Sequence, residues 1–390
     1  MTSFDLYDQM AAAAAQDGPA EVAALLARAP TVILYGAGGA GQNALRVLRA
    51  RGIKVQCFLD QSARPGDERQ GVPVFWPDDP AFGQETRQDV PVIVSVFNPY
   101  VDGEALGADL RDLGWQNVIA FEVFHRAYAA ELGDRYWLTD LAFYRDQAPQ
   151  MRAAAGLWAD ERSRAIYDAT LRYRWQGKRD PVLSPDMADP YFPADMPPWK
   201  APARFVDCGA YNGDTLEQIR ARGFALAAVA AFEPDPAHLG KLTATLRELA
   251  AGDTAKQVLL WPCAVHATTT RLRFAAGLGM ASGLRLDGDE VVQAMALDDA
   301  LPGFHPTLLK MDIEGAEYEA LLGARALIQR DRPGLAICVY HRPSHLWQIP
   351  LLIQSWDLGY RFWLRSHAHS GYEMVLYAQA ERGPDSAQPA

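Results

Sequence analysis

The 390-residue sequence has only four cysteines, Cys57, Cys208, Cys263 and Cys338, and none of them form a C-x-x-C pair. A disulfide framework and a structural zinc site are therefore not expected. Each cysteine lies in or beside an apolar strand-like run, so reduced, buried thiols and a cytoplasmic location are the expectation. Basic residues are in deficit, with 37 Lys and Arg against 48 Asp and Glu and a net charge of −11. That balance argues against nucleic-acid or anionic-membrane partners. No apolar run reaches the ~20 residues that a membrane helix needs. The Ala-rich residues 1–30 carry Asp5, Asp8, Asp17 and Glu21 but no basic stretch, so they do not read as a signal peptide. A Tyr-x-x-x-Lys pair is also missing from 125–150, which weakens a redox or epimerase reading.

Two strand-turn-helix-strand units stand out. In the first, strand 31–35 runs into Gly36-Ala37-Gly38-Gly39-Ala40-Gly41, then a helix over 42–51 and a strand that ends at Asp60. This is a G-x-G-x-x-G unit with an acid 24 residues after its first glycine. Gly36, Gly38, Gly41 and Asp60 are candidates for a dinucleotide or nucleotide-sugar site, and a bare scaffold is the competing reading. The segment resembles the N-terminal Rossmann-like modules of sugar-modifying transferases over about 30–125. Further strands at 90–96 and 118–120 and a helix at 104–113 imply a small parallel sheet.

The second unit is 205–215, FVDCGAYNGDT, followed by strand 226–232 and then Glu233-Pro234-Asp235. Its turn lacks the three-glycine pyrophosphate fingerprint. A nucleoside without phosphates is therefore expected, with S-adenosylmethionine (SAM) as the commonest. Asp207, Gly209, Tyr211, Gly213, Glu233 and Pro234 are the candidate cofactor residues. Asp207 can face the methionine ammonium, and the glycines admit close backbone approach. Glu233 can accept both ribose hydroxyls, or it can act as an N-cap. Cys263 and Ala264, after strand 257–262, can border the adenine.

A third dense motif, LLKMDIEGAEYEALLGA over 308–324, delivers Asp312 and Glu314 at a strand end before a helix expected over 317–330. Strand 335–340 then ends at His341. Ligands in open α/β sheets bind at the carboxyl ends of the strands, where a carboxylate or an imidazole can take up a proton. Asp312, His341 and Glu314 are the candidate catalytic residues, His341 for its ordinary pKa near neutrality. Lys310 can simply pair with Asp312, and Glu314 and Glu317 can serve as helix-start charges. No metal is expected, because Pro343 breaks the i, i+4 relation that would bring His341 and His345 together.

The motifs at 205–215, 231–236 and 308–324, with VYHRPSHLWQIPLLI, GYRFWLRSH and VLYA behind them, resemble the FkbM family of SAM-dependent methyltransferases over about 203–378. The resemblance implies a class I methyltransferase fold: an α/β seven-stranded sheet, mostly parallel, with an antiparallel last hairpin. It also implies O-methylation of a glycan, lipid-linked sugar or secondary metabolite. The expected layout is a Rossmann-like domain over 1–125, a helical connector with a proline-rich loop over 126–202, the methyltransferase domain over 203–380 and a disordered tail over 381–390. The expected partner is a small-molecule or glycan acceptor, and the sequence is silent on oligomeric state. Two other classes compete: a scaffold without turnover, and a bifunctional nucleotide-sugar-binding protein.

Overall fold

The computed structural model describes residues 6–8, 18–177, 179–186, 190–252, 255–275, 283–284 and 290–381. Most of the glycine-rich 277–288 loop, part of the 184–200 loop and the 382–390 tail lie outside the described residues. The chain divides into two compact units.

The first unit comprises Met1–Arg152, Asp168–Pro185 and Ala368–Tyr372. Its sheet has the order β3-β4-β2-β1-β5-β6, built from β1 (Val32–Tyr35), β2 (Val55–Leu59), β3 (Glu68–Arg69), β4 (Val72–Phe75), β5 (Val92–Val94) and β6 (Val118–Ile119). All pairings are parallel except β3 with β4. The central strands are uniformly apolar because both faces are covered, as parallel sheets require. The first helix starts at Gly39, not Gln42. Gly41 therefore lies within the helix, where a Cβ would stand 2.0 Å from the Gly36 carbonyl oxygen. The glycine spacing is set here by helix-to-strand packing.

The last five residues of this unit come from the far end of the chain. The Tyr372 ring lies tilted at 52° against Phe97 with 5.1 Å between centroids, and Trp137 Nε1 donates to the Ser370 carbonyl at 2.9 Å.

The second unit comprises Ala153–Tyr167, Asp186–His367 and Glu373–Ala390. Its main strands are β7 (Ala203–Cys208), β8 (Leu226–Phe232), β9 (Gln257–Trp261), β14 (Leu308–Met311), β15 (Gly334–Cys338), β16 (Tyr360–Ser366) and β17 (Met374–Ala380). They form a seven-stranded sheet in the order β16-β17-β15-β14-β7-β8-β9. Only β17 runs antiparallel to its neighbours. A smaller sheet holds β10 (Ala264–Val265), β13 (Glu290–Met295), β11 (Thr270–Ala275) and β12 (Gly283–Leu284). The seven-stranded, mostly parallel α/β sheet matches the expected fold class, as does the separate parallel-rich sheet of the first unit.

The helix expected over 317–330 is two helices, Glu317–Leu322 and Arg325–Asp331. They part at Gly323, where a Cβ would meet the His266 carbonyl oxygen at 2.2 Å. The chain has no room there to continue a regular side-chain-bearing helix. A further helix, His345–Gln354, contains Pro350 and escaped the sequence reading.

Gly41→Ala is expected to destabilise the protein by about 1–3 kcal/mol through overpacking against backbone that cannot rotate away. Equilibrium denaturation against wild type measures it, and an unchanged midpoint would refute the packing role.

Candidate active site

The candidate residues converge at the carboxyl ends of five adjacent strands, β15-β14-β7-β8-β9, where open α/β sheets bind ligands. Asp207 lies in β7, with Gly209, Tyr211 and Gly213 in the following turn. The turn is tightly wound: Gly209, Tyr211 and Gly213 all have positive φ, at 78°, 47° and 90°. A Cβ on Gly209 would stand 1.9 Å from the Asp312 carbonyl oxygen. Glycine at 209 therefore lets the turn after β7 pass against the turn after β14. Gly213 is the N-cap of the helix Asp214–Ala221.

Glu233 follows β8 and is buried, and both of its oxygens take backbone donors. Oε2 accepts from Tyr211 N at 2.8 Å and Oε1 from Asp235 N at 2.8 Å. The capping of the next helix falls to Asp235, whose side chain accepts from Ala237 N. Pro234 lies between the two acids. Cys263 and Ala264 are buried where β9 gives way to β10, and burial lifts the Cys263 thiol to about 11. In the first unit, Asp60 serves its own turn in a parallel manner. One oxygen accepts from Ala37 N at 2.9 Å, and the other accepts from Ser62 N at 2.9 Å and its hydroxyl at 2.6 Å.

Asp207 is fully buried. Its Oδ1 lies 3.0 Å from Lys310 Nζ, while Oδ2 meets no donor among the described residues. Lys310 thus pairs with Asp207 and not with Asp312, which follows its own strand. The cause is register: Lys310 in β14 sits directly beside Asp207 in β7. Its ammonium also donates to the Gly209 carbonyl at 2.7 Å. Burial pushes the Asp207 carboxyl up to about 6 against the pull of Lys310. Burial also opposes the lysine charge, but Asp207, Asp312 and Asp214 outweigh it and hold Lys310 protonated.

Asp312, Glu314 and His341 do come together. His341 Nε2 is 3.4 Å from Asp312 Oδ1 and 3.7 Å from Glu314 Oε1. The other face of the ring meets Glu317, which the sequence reading took only as a helix-start charge. Glu317 Oε1 receives His341 Nδ1 at 2.7 Å and Ile313 N at 2.9 Å, and Oε2 is 3.2 Å from His345 Nδ1. The two histidines therefore converge after all. Their shared centre is a buried carboxylate, reached because His341 precedes the helix that His345 begins.

Burial alone would lower the His341 pKa, but Glu317, Glu314 and Asp312 hold it up to about 10. The ring is an imidazolium at neutral pH, a donor and not the proton acceptor expected from its ordinary pKa. Burial pushes Glu314 up to about 8, against the pull of His341. Burial and Asp312 raise Glu373, a residue the sequence reading passed over, to about 7. Tyr340 donates to Glu373 Oε1 at 3.1 Å. The exposed edge of the cluster is Asp312 and Glu314, with side chains 25% and 21% accessible.

Residues 207–367 match the family model of the methyltransferase FkbM domain. Among solved structures, the chain is similar to the methyltransferase FkbM from Methylobacillus flagellatus KT, at a TM-score of 0.77 and 24% identity over 97% of this chain and 99% of that one. At that identity the likeness speaks for the fold. No curated protein matches the chain. The FkbM match supports a methyltransferase, and its span contains Asp207, Glu233, Asp312 and Glu314. Among the described residues, no helix is long and apolar enough to cross a membrane.

The Glu317 cluster sets a pH dependence. Burial works against the Glu317 charge, but His341 and His345 outweigh it and hold the carboxyl well below its usual range. Its contribution to stability is present above about pH 4.3 and is lost as the pH falls below that. The raised His341 contributes fully below about pH 6.5, and that share is lost as the pH rises toward 10. Glu317→Gln is expected to cost about 3–5 kcal/mol by leaving charge unpaired. It should also flatten the loss of stability between pH 6.5 and 10. Denaturation midpoints across that range check both, and a variant that loses stability with pH as steeply as wild type would contradict the assignment.

Proposed function

We propose that the protein is a SAM-dependent O-methyltransferase acting on a hydroxyl of a glycan, lipid-linked sugar or secondary metabolite. The observation that carries this reading is the buried Asp207 Oδ2, which meets no donor among the described residues at the head of a glycine turn. Such an oxygen suits a cation, and the methionine ammonium is one. Glu233 supports the same reading. Each of its oxygens accepts one backbone N–H, and a carboxylate oxygen has a second acceptor site left for a ribose hydroxyl. Gly209, Tyr211 and Gly213 shape the turn, Pro234 fixes the chain after Glu233, and Cys263 and Ala264 border the adenine.

Bound SAM supplies an electrophilic methyl group. An acceptor hydroxyl that took this methyl group would have to give up its proton. Asp312 is the proposed proton acceptor, since it is part-exposed and carries no proton-donating duty. His341, held cationic, steadies the charge on Asp312 from 3.4 Å. Glu314 is the second carboxyl at the rim and orients the acceptor. Asp60 is engaged with its own turn, so Gly36, Gly38, Gly41 and Asp60 are assigned to scaffolding rather than to a dinucleotide or nucleotide-sugar.

Calorimetric titration of the full chain with SAM should show saturable binding. Glu233→Ala should weaken it at least about tenfold, since two buried donors are also left unpaired. Labelled methyl should pass to a hydroxyl-bearing fraction of cell glycans or lipids. Absence of both SAM binding and label transfer would sink the proposal.

A further inference from the structure

Tyr191 lies in the proline-rich segment ahead of β7, and its side chain is buried. Its hydroxyl donates to Asp312 Oδ2 at 2.9 Å and lies 3.8 Å from Cys338 Sγ. The ring turns a face to Lys310 Nζ, 5.2 Å from the centroid. The backbone around it is tied down. The Tyr191 carbonyl accepts from Trp199 Nε1 at 2.8 Å, and the Pro190 carbonyl accepts from the Tyr377 hydroxyl. Further along, Asp195 Oδ2 receives Arg365 Nε at 2.9 Å and the Pro197 carbonyl receives Gln379 Nε2 at 2.8 Å.

A carboxylate at a strand end can turn about its last torsion, which is broad and two-fold. A proton acceptor must instead present one oxygen within hydrogen-bond reach of the acceptor hydroxyl. The charged groups around Asp312 are Lys310, Asp207, His341, Glu314 and Glu373. Lys310 is committed to Asp207 and Gly209. That leaves two groups to orient it: His341 on Oδ1 and the Tyr191 hydroxyl on Oδ2. Burial, Asp312 and Cys338 hold the Tyr191 phenol well above its ordinary range, so it remains a donor.

We propose that Tyr191 is a positioning residue for methyl transfer: its hydroxyl pins Asp312 Oδ2, so that Oδ1, beside His341, faces the acceptor with its remaining lone pair. The proposal rests on the methyltransferase reading of the same site. It makes the proline-rich segment part of the catalytic apparatus rather than a linker.

Tyr191→Phe removes the donor and keeps the ring. It is expected to melt close to wild type and to bind SAM with unchanged affinity. Its kcat for label transfer to the glycan or lipid fraction should fall about 10- to 100-fold with KM for SAM unmoved, the signature of misplacement. Asp312→Asn should fall further, and the double variant should be no slower than Asp312→Asn alone, because the two act as one unit. A wild-type kcat in Tyr191→Phe, or losses that multiply in the double variant, would overturn the proposal. If wild-type protein neither binds SAM nor transfers methyl, the proposed function fails, and the crystal structure of Tyr191→Phe decides the positioning role. An Asp312 carboxylate turned from its wild-type orientation supports that role, and one left in place refutes it.

Discussion

The methyltransferase domain depends on one buried carboxylate. Glu317 is sealed from solvent, yet it gathers the amide of Ile313 and the rings of His341 and His345. An unpaired charge in that position would be prohibitive, so the partners are obligatory. Through them the turn after β14 is fastened to the segment after β15. Asp312 and Glu314 belong to the first of these and His341 to the second. The separation between the candidate catalytic groups is therefore fixed by a residue with no exposure to solvent.

A second buried pair, Asp207 with Lys310, does the same for the other side of the site. It joins β7 to β14 and, through the Gly209 carbonyl, holds the cofactor turn in place. Each buried cation is thus spent on a buried anion. Glu314 and Glu373, raised to about 8 and about 7, are the carboxyls whose charge is left to respond to a ligand. Raised carboxyls crowded around one acid are a common way to keep proton affinities near the working pH. The chemistry and the stability of the fold consequently draw on one electrostatic network.

Much of this was legible in the sequence, for identifiable reasons. Asp207, Glu233 and Asp312 each close an apolar strand, and strand ends in a parallel sheet share one edge, so their convergence follows from pattern alone. The partners were less legible. The choice of Asp207 by Lys310 depends on which strands are neighbours, a property of topology that local spacing does not carry. Pro343 was a sound reason to doubt a helical pairing of His341 and His345, yet the two meet across a turn on a third residue. The packing need at Gly41 is a tertiary one, a Cβ there standing 2.0 Å from the Gly36 carbonyl oxygen, and local spacing does not carry it. The His341 charge state was unreadable because it comes from three carboxyls on a different segment.

The first compact unit closes with Ala368–Tyr372, inserted between two strands of the other sheet. In the cell a chain emerges from its amino end, and early domains ordinarily fold before late ones are made. Here that order is blocked. Phe97 and Trp137 wait for Tyr372 and Ser370, which arrive only after nearly all of the methyltransferase domain has been translated. The unit made first is finished last, so the nascent chain carries an incomplete aromatic core through most of its synthesis.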